Sequence, residues 1–180
     1  MAAATEWNVT PDERSATYRA DELMAHAPGR WLRAVDVRAP APAVFRRLCH
    51  LRAAPYSYDW VDNLGRRSPR GLLPWCEELE VGQRVMTIFT LESFVPDVEM
   101  TLVMRQGRPR TVFGDLAVTY RVEPSPCSPG DTRLVAALRV QDPPGPLPAA
   151  RRAALARGDL LMMRKQLRTL GALAERDVHG

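Results

Sequence analysis

Hydrophobic and polar residues alternate with a period of two through the middle of the chain. This alternation is typical of strands that bury one face. Because the connections between successive runs are short, neighbouring strands should be antiparallel. An earlier run with the same alternation is stopped by Pro40 and Pro42. The pattern predicts strands over residues 31–38, 85–91, 98–104, 111–114, 117–123 and 132–141, with residues 94–97 joining the second and third.

Helical spacing appears before and after this region. Thr10 can cap a helix that has Pro11 at its first position and Glu13 in a capping box, and this helix is expected to reach about Met24. Short helices are predicted over residues 42–51 and within 56–65. A long helix closes the chain, and Gly158 is expected to divide it into residues 148–157 and a main part. Its apolar stripe, which should face the sheet, consists of Leu160, Met163, Leu167, Leu170 and Ala174.

The predicted elements are a strand, two short helices, a run of antiparallel strands and a long terminal helix. A curved sheet must cover its apolar face, and the terminal helix is the only predicted element long enough to do so. The predicted fold class is therefore α+β, with a curved antiparallel sheet wrapped around the C-terminal helix. Such a sheet leaves room for a cavity beneath the helix, with the short helices and the strand-connecting loops at its entrance.

The length of 180 residues and the hydrophobic content of 46% suit one domain. We expect an N-terminal arm with a short helix over residues 1–30 and a single domain over 31–180. No run reaches the roughly 18 apolar residues of a membrane helix. The N-terminus also lacks the charged and then apolar order of a signal peptide. We therefore expect no membrane span and a cytoplasmic location.

The net charge of +4 is carried by scattered arginines, without the basic stripe and interleaved aromatic residues of a nucleic-acid-binding surface. Three cysteines without a CxxC pair and three histidines without ligand spacing favour neither disulfides nor a metal site. We expect no cofactor and no nucleic-acid partner. Cys49 is expected in the core and His50 at the surface, because adjacent helical residues point in different directions.

The run over residues 56–65 contains three large aromatic residues, two carboxylates and an amide. Tyrosine and tryptophan each combine an apolar ring with one polar atom, which suits the wall of a pocket that orients an apolar ligand. The alternative is a well-packed helix and turn whose rings only fill the core. The sequence leaves both interpretations open.

The sequence resembles the START-like, or SRPBCC, superfamily of polyketide cyclase-like proteins, which have the helix-grip fold. The resemblance extends from residues 20–23 through 31–40 to the terminal helix, and is most specific over 56–66, 72–74 and 79–82. There it resembles a bacterial subgroup of mostly unassigned function. It implies an internal cavity for lipids, polyketides, steroids or similar molecules, usually without a metal or nucleotide. Relatives tend to have acidic residues where this chain has Trp75 and Gln83, so roles that depend on those groups do not carry over.

The leading hypothesis is non-catalytic binding of a hydrophobic or aromatic small molecule, such as a lipid or polyketide, by a monomer or homodimer. One alternative is a polyketide cyclase or aromatase-type enzyme. Another is a protein-interaction or chaperone-like module. The residues expected to contact a ligand are Tyr56, Tyr58, Asp59, Trp60, Asn63, Phe89, Met100, Tyr120, Met163 and Leu167.

A cyclase or dehydratase would need an acid or base in a dry cavity. Aromatic surroundings would raise the pKa of Asp59 and make it useful near neutral pH. In the alternative, Asp59 caps a helix or pairs with Arg133 or Arg139. The main candidates for such an enzyme are Asp59 and Tyr58, followed by Tyr56 and Glu77.

Overall fold

The computed structural model of the protein describes residues 5–58, 67–107, 110, 114–126, 128–142 and 149–180, with the backbone alone over 149–152. The described strands are β1 (Glu6–Trp7), β2 (Gly29–Val37), β3 (Arg84–Val85), β4 (Phe89–Val95), β5 (Glu99–Met104), β6 (Asp115–Pro124) and β7 (Thr132–Gln141). The described helices are α1 (Pro11–Ser15), α2 (Arg19–Leu23), α3 (Ala41–Cys49) and α4 (Ala149–His179), with 3-10 turns at His50–Arg52 and Pro74–Cys76.

The seven strands form one sheet in the order β1-β2-β7-β6-β5-β4-β3. Neighbouring strands are antiparallel, except for β1 and β2, which are parallel. The register places Trp31 of β2 opposite Leu138 of β7, and Leu138 opposite Val118 of β6. Because side chains alternate along a strand, such rows put apolar residues on one face of the sheet.

Helix α4 covers this apolar face. Leu167, Leu170 and Ala174 are fully buried in the same core cluster as the inward residues of the sheet. At Gly171 the helix lies so near β2 that an added Cβ would be 3.0 Å from Val37 Cγ2, so glycine permits the close approach. The predicted α+β class and helix-grip arrangement are confirmed.

The N-terminal segment packs on the opposite face. The backbone N–H of Ala20 donates to Thr119 Oγ1 at 2.9 Å and fixes α2 on β6. Arginines of the sheet donate to backbone carbonyls of the same segment, which ties it down along its length. A second apolar cluster joins the segment to the sheet and contains Tyr18, Leu32, Ala34, Val135 and Ala137. The arginine contacts are Arg30 with Arg14 and Ala16, Arg121 with Thr17, and Arg139 with Ala25.

The predicted capping box is present, because Thr10 Oγ1 accepts from the Glu13 N–H at 3.2 Å and Glu13 Oε2 accepts from the Thr10 N–H at 2.7 Å. The prediction of one helix to about Met24 is wrong, since α1 ends at Ser15 and α2 begins at Arg19. The break has a tertiary cause. The sheet arginines draw off carbonyls in this stretch, and the buried Tyr18 is extended, with φ −115° and ψ 156°.

The prediction of one strand over residues 85–91 is also wrong. The chain turns between β3 and β4, with φ of 46° at Met86 and 66° at Thr87, a conformation that few residues other than glycine adopt. The Met86 N–H donates to the Leu51 carbonyl at 3.1 Å, which holds the turn against the 3-10 segment. Strand β4 then runs to Val95, so the connection to β5 is shorter than predicted.

The prediction that Gly158 divides the terminal helix is wrong, because α4 runs unbroken from Ala149 to His179. A helical glycine costs only about 1 kcal/mol relative to alanine. The neighbouring residues are good helix formers, and packing of the apolar face on the sheet offsets that cost. Residues 111–113 of one predicted strand and 59–65 of one predicted helix lie outside the described residues, while Tyr56 is non-helical at φ 56°.

Candidate ligand-binding site

The space between α4 and the sheet has one end where apolar side chains still reach solvent. Trp31, Phe89 and Met104 of the sheet and Ala156 and Met163 of α4 keep between 6% and 9% of their surface exposed. We call these five residues the Trp31 end. Phe89 lies opposite Met104 in the β4–β5 register, so these side chains share one end of the sheet. The Trp31 end is therefore an apolar surface that solvent still reaches.

Nearer the C-terminus of α4, five side chains of the same interface are fully buried. Val37 and Leu134 of the sheet and Leu167, Leu170 and Ala174 of α4 have no exposed surface. We call these residues the closed end. Protein interiors packed in this way leave little space for another molecule.

A hydrogen-bonded pair lies between the two ends. The buried Tyr120 of β6 donates from its hydroxyl to Gln166 Oε1 of α4 at 2.7 Å. Gln166 Nε2 in turn donates to the Pro55 carbonyl at 2.6 Å and lies 3.4 Å from Met86 Sδ. Burial raises the pKa of Tyr120, and the nearby Asp159 carboxylate raises it further, so the hydroxyl stays protonated. This pair joins the sheet, the helix and the segment before Tyr56.

A charged pair lies near the Trp31 end. Arg33 points to the same face as Trp31, is fully buried, and donates from Nη2 to Asp159 Oδ2 of α4 at 3.2 Å. Its guanidinium carbon lies 5.9 Å from the centre of the Trp31 ring. The Asp159 side chain is 21% exposed, and burial raises its pKa to about 6 although Arg33 acts in the opposite direction. The interface thus contains an acid that titrates close to neutral pH.

His50 is fully buried, so the prediction that it lies at the surface is wrong, while Cys49 is in the core as predicted. His50 Nε2 accepts from the Leu73 N–H at 3.3 Å, and Nδ1 lies 3.4 Å from the Tyr56 hydroxyl. The Tyr56 hydroxyl donates to the Pro69 carbonyl at 2.8 Å. Burial, followed by the charge of Arg47, lowers the pKa of His50. Neutral His50 therefore ties the segments on both sides of residues 59–66 to the end of α3.

Most of the described ligand-contact candidates belong to one core cluster. Tyr58 differs, because 38% of its surface is exposed. Asp59, Trp60 and Asn63 lie outside the described residues. The structure brings together, in that core cluster, Tyr56, Phe89, Met100, Tyr120, Met163 and Leu167.

The other charged candidates lie away from the helix–sheet interface. Glu77 is exposed and lies 3.4 Å from Arg46. Arg133 binds Glu13 at 2.6 Å on the outer face, and Arg139 lies 3.6 Å from Asp21. A pocket of about 250 Å³ near Arg133 is lined mainly by charged and polar side chains, unlike the Trp31 end.

Sequence reasoning missed Arg33, Asp159 and Gln166. Each occupies an inward-facing position of a strand or helix whose other inward-facing residues are mostly apolar. Arg33 alternates with Trp31 on β2, and Asp159 and Gln166 stand four residues before and three residues after Met163 on α4. The available signal was a polar residue at a core-facing position, which needs a partner when buried.

The described residues contain neither a candidate membrane-spanning helix nor a candidate metal-binding cluster. None of the helices there is both long and apolar enough to cross a membrane. Within the same residues, there is no group of three or more His, Cys, Asp or Glu side chains placed to hold a metal ion.

The open-edged sheet gripping one long helix is the helix-grip fold. Solved structures with this architecture include a protein from Thermobifida fusca, with TM-score 0.52, 15% identity and coverage of 82% of this chain and 93% of that one. A protein from Mesorhizobium loti has TM-score 0.50, 16% identity and coverage of 82% and 97%. A protein from Nitrosospira multiformis has TM-score 0.50, 14% identity and coverage of 84% and 100%. At these identities the likeness shows the fold alone.

Neither of the two sequence comparisons adds a relative. No protein-family model matches the chain, and no curated protein matches it. The function must therefore be argued from the residues of the site.

Proposed function

We propose that the protein binds a hydrophobic or aromatic small molecule between α4 and the sheet, at the Trp31 end, without catalysing a reaction. The observation that carries this proposal is the residual exposure of five apolar side chains at the Trp31 end. The five residues of the closed end have none, although Leu173, next to Ala174 on the same helix, keeps 7% of its surface exposed. Apolar surface that stays accessible inside an otherwise close-packed interface is typical of a ligand site.

The side chains at the Trp31 end suit an apolar guest. Trp31 and Phe89 offer flat rings, while Met104 and Met163 have flexible, polarizable side chains that adapt to different shapes. Tyr120 and Gln166 fix the position of α4 over the sheet, which keeps the site from collapsing. The predicted contacts from Tyr58, Asp59, Trp60 and Asn63 remain part of this proposal.

The test is a titration with the fluorescent probe N-phenyl-1-naphthylamine. Ala156→Phe places a ring at the Trp31 end, whereas Leu161→Phe places the same ring on the exposed side of α4, where Leu161 is 56% exposed. We expect Ala156→Phe to weaken probe binding at least tenfold and Leu161→Phe to leave it unchanged. Equal affinities for the wild type and both variants, with circular dichroism showing intact folds, would contradict the proposal.

Native mass spectrometry of the freshly purified protein separates the proposal from the interaction or chaperone-like alternative. A bound small molecule that Ala156→Phe displaces supports the ligand site. A protein partner that binds both variants equally, with no small molecule present, supports the alternative.

The cyclase or aromatase-type alternative has one observation in its favour. Asp159 faces the interface and has a pKa raised by burial to about 6, which is the property that a general acid or base needs near neutral pH. If the protein only binds its ligand, a bound polyketide should be released unchanged. Conversion of a bound polyketide by the wild type, and its loss in Asp159→Asn, would establish the enzyme instead.

A further inference from the structure

The Arg33–Asp159 pair lies beside the Trp31 end, with the Arg33 guanidinium carbon 5.9 Å from the centre of the Trp31 ring, and it limits which ligands fit there. Asp159 lies one turn before Met163 and three residues after Ala156, so it shares the helix face of both. Arg33 lies two residues after Trp31 and shares its face of β2. A molecule lying against Trp31 and Met163 therefore comes within reach of the Asp159 carboxylate.

The pair has no net charge to offer a ligand. Arg33 is fully buried and already donates to Asp159 Oδ2 and to the Thr5 and Leu32 carbonyls. A ligand carboxylate at this place would be buried beside the Asp159 carboxylate, and a ligand ammonium beside the Arg33 guanidinium. Burying an additional charge without its own partner is costly. A neutral ligand is therefore favoured.

The Asp159 carboxylate can accept more hydrogen bonds than the described residues donate to it. Asp159 Oδ2 accepts the hydrogen bond from Arg33, and within the described residues this is the only side-chain hydrogen bond that Asp159 accepts. A carboxylate can accept several hydrogen bonds. Because the Asp159 side chain is 21% exposed, a bound molecule can reach it, and Oδ1 is the oxygen that does not accept from Arg33. The group that satisfies this oxygen must be a donor, and a hydroxyl is the simplest neutral one.

Resting on the proposed function, we infer that the ligand is a neutral apolar molecule that carries an alcohol or phenol group, and that this hydroxyl donates a hydrogen bond to Asp159. Lipid carboxylates and other anionic ligands are then poor ligands. The inference names a class of ligand, and it assigns Asp159 as the residue that recognises it.

The test compares four probes of one ring system at pH 7.5, namely naphthalene, 2-naphthol, 2-naphthoate and 2-naphthylmethylammonium. For the wild type we expect 2-naphthol to bind about tenfold more tightly than naphthalene, since hydrogen bonds to a charged acceptor are strong. We expect both ionic probes to bind more weakly than naphthalene. In Asp159→Asn the advantage of 2-naphthol should fall to about threefold or less, because a neutral amide is a weaker acceptor.

Glu78→Gln is the matched control, because it removes one carboxylate from an exposed position. It should leave all four affinities unchanged. If Asp159→Asn does not fold, the double variant Arg33→Met with Asp159→Leu replaces the pair by apolar side chains of similar size, a change that folded proteins often tolerate. This variant should keep naphthalene binding and lose the preference for 2-naphthol.

The outcomes distinguish failure of the inferred ligand class from failure of the proposed apolar site. Wild-type protein that binds naphthalene and 2-naphthol equally, or that prefers either ionic probe, overturns the inference and leaves the apolar site standing. A preference for 2-naphthol that survives in the double variant also overturns it. Failure of every probe to bind the wild type contradicts the apolar site itself.

Discussion

The two faces of the sheet each bury an arginine, and the two arginines are held differently. On the outer face, Arg133 Nε donates to Glu13 Oε1 at 2.6 Å, and only 6% of each side chain is exposed. On the inner face, Arg33 Nη2 lies 3.2 Å from Asp159 Oδ2, and the Asp159 side chain is 21% exposed. The outer pair is shorter and both of its side chains are buried, while the inner pair has a carboxylate that is more exposed.

The two carboxylates also titrate in opposite directions. Burial alone would raise the pKa of Glu13, but hydrogen bonds from Arg133 and from the Thr10 backbone N–H lower it below its ordinary value. Burial raises the pKa of Asp159 to about 6, and the single Arg33 hydrogen bond does not offset it. We infer that a buried ion pair whose carboxylate is fully hydrogen-bonded has a structural role. A pair whose carboxylate can accept a further hydrogen bond beside an apolar surface suits ligand binding.

The largest effect is expected on the outer face. Glu13→Ala leaves Arg133 buried without its closest carboxylate, and this should lower the free energy of unfolding by about 3–5 kcal/mol. Urea denaturation at pH 7 measures the change. Glu78→Ala, on the exposed surface, serves as the control. A loss below about 1 kcal/mol would show that Asp36, 3.0 Å from Arg133, is a sufficient partner.

A smaller effect is expected on the inner face, at Tyr120. Tyr120→Phe removes the hydroxyl that donates to Gln166 and should lower the free energy of unfolding by about 2 kcal/mol. The loss comes mainly from leaving Gln166 Oε1 unsatisfied. Thermal unfolding of Tyr120→Phe beside the double variant Tyr120→Phe with Gln166→Met tests this. If the single variant is as stable as the wild type, the pair does not secure α4.

The pH dependence of stability should distinguish the two faces. The folded-state pKa of Asp159, about 6, is above the ordinary aspartate value, so the folded protein takes up this proton before the unfolded chain does. As pH falls from 7 toward 4, the wild type should therefore gain about 1 kcal/mol relative to Asp159→Asn, with allowance for partial solvent screening. Denaturation of both proteins across this range measures the difference.

Glu13 should show the opposite sign. Its folded pKa is lowered, so its contribution is present above the ordinary glutamate value and is lost as pH falls through the folded value. The wild type should then lose stability relative to Glu13→Gln as the solution becomes acidic. Equal slopes for the two variants would remove the contrast between the faces.

The smallest effect is expected at the exposed Arg38–Glu175 pair. The two side chains are 3.4 Å apart, and the Arg38 side chain is 79% exposed. Arg38→Ala should change the free energy of unfolding by less than about 0.5 kcal/mol, because exposed ion pairs contribute little. The same urea titration measures it. The Arg38 backbone N–H also donates to Glu175 Oε1 at 2.9 Å. A change above about 1 kcal/mol would mean that this hydrogen bond depends on the arginine side chain.

Local sequence patterns predicted much of the fold. The period-two alternation located β7 over Thr132–Gln141, and the stripe from Met163 to Ala174 identified the sheet-facing side of α4. The capping box at Thr10 is contained within four residues and was found for that reason. The need to cover the apolar face of a curved sheet with the long terminal helix predicted the arrangement of sheet and helix, and the resemblance to a known superfamily agreed with it.

The site was less predictable. Phe89, Met100 and Met163 follow from their inward positions in strands and helix, because burial of apolar side chains follows the same periods. His50 was misplaced, since its burial depends on Tyr56 and Leu73 folding back over α3. The turn at Met86 and Thr87 was also missed, because neither residue is typical of a positive φ.

The spacing of apolar residues along the chain specifies the strands, the long helix and the face that each buries. The pairing of the charged side chains depends instead on how these elements pack. Arg33 and Asp159 stand 126 residues apart, and only the seating of α4 on β2 brings them together. Hydrophobic burial follows a local repeat that can be read along the chain, whereas an ion pair depends on distances that exist only after the elements have packed.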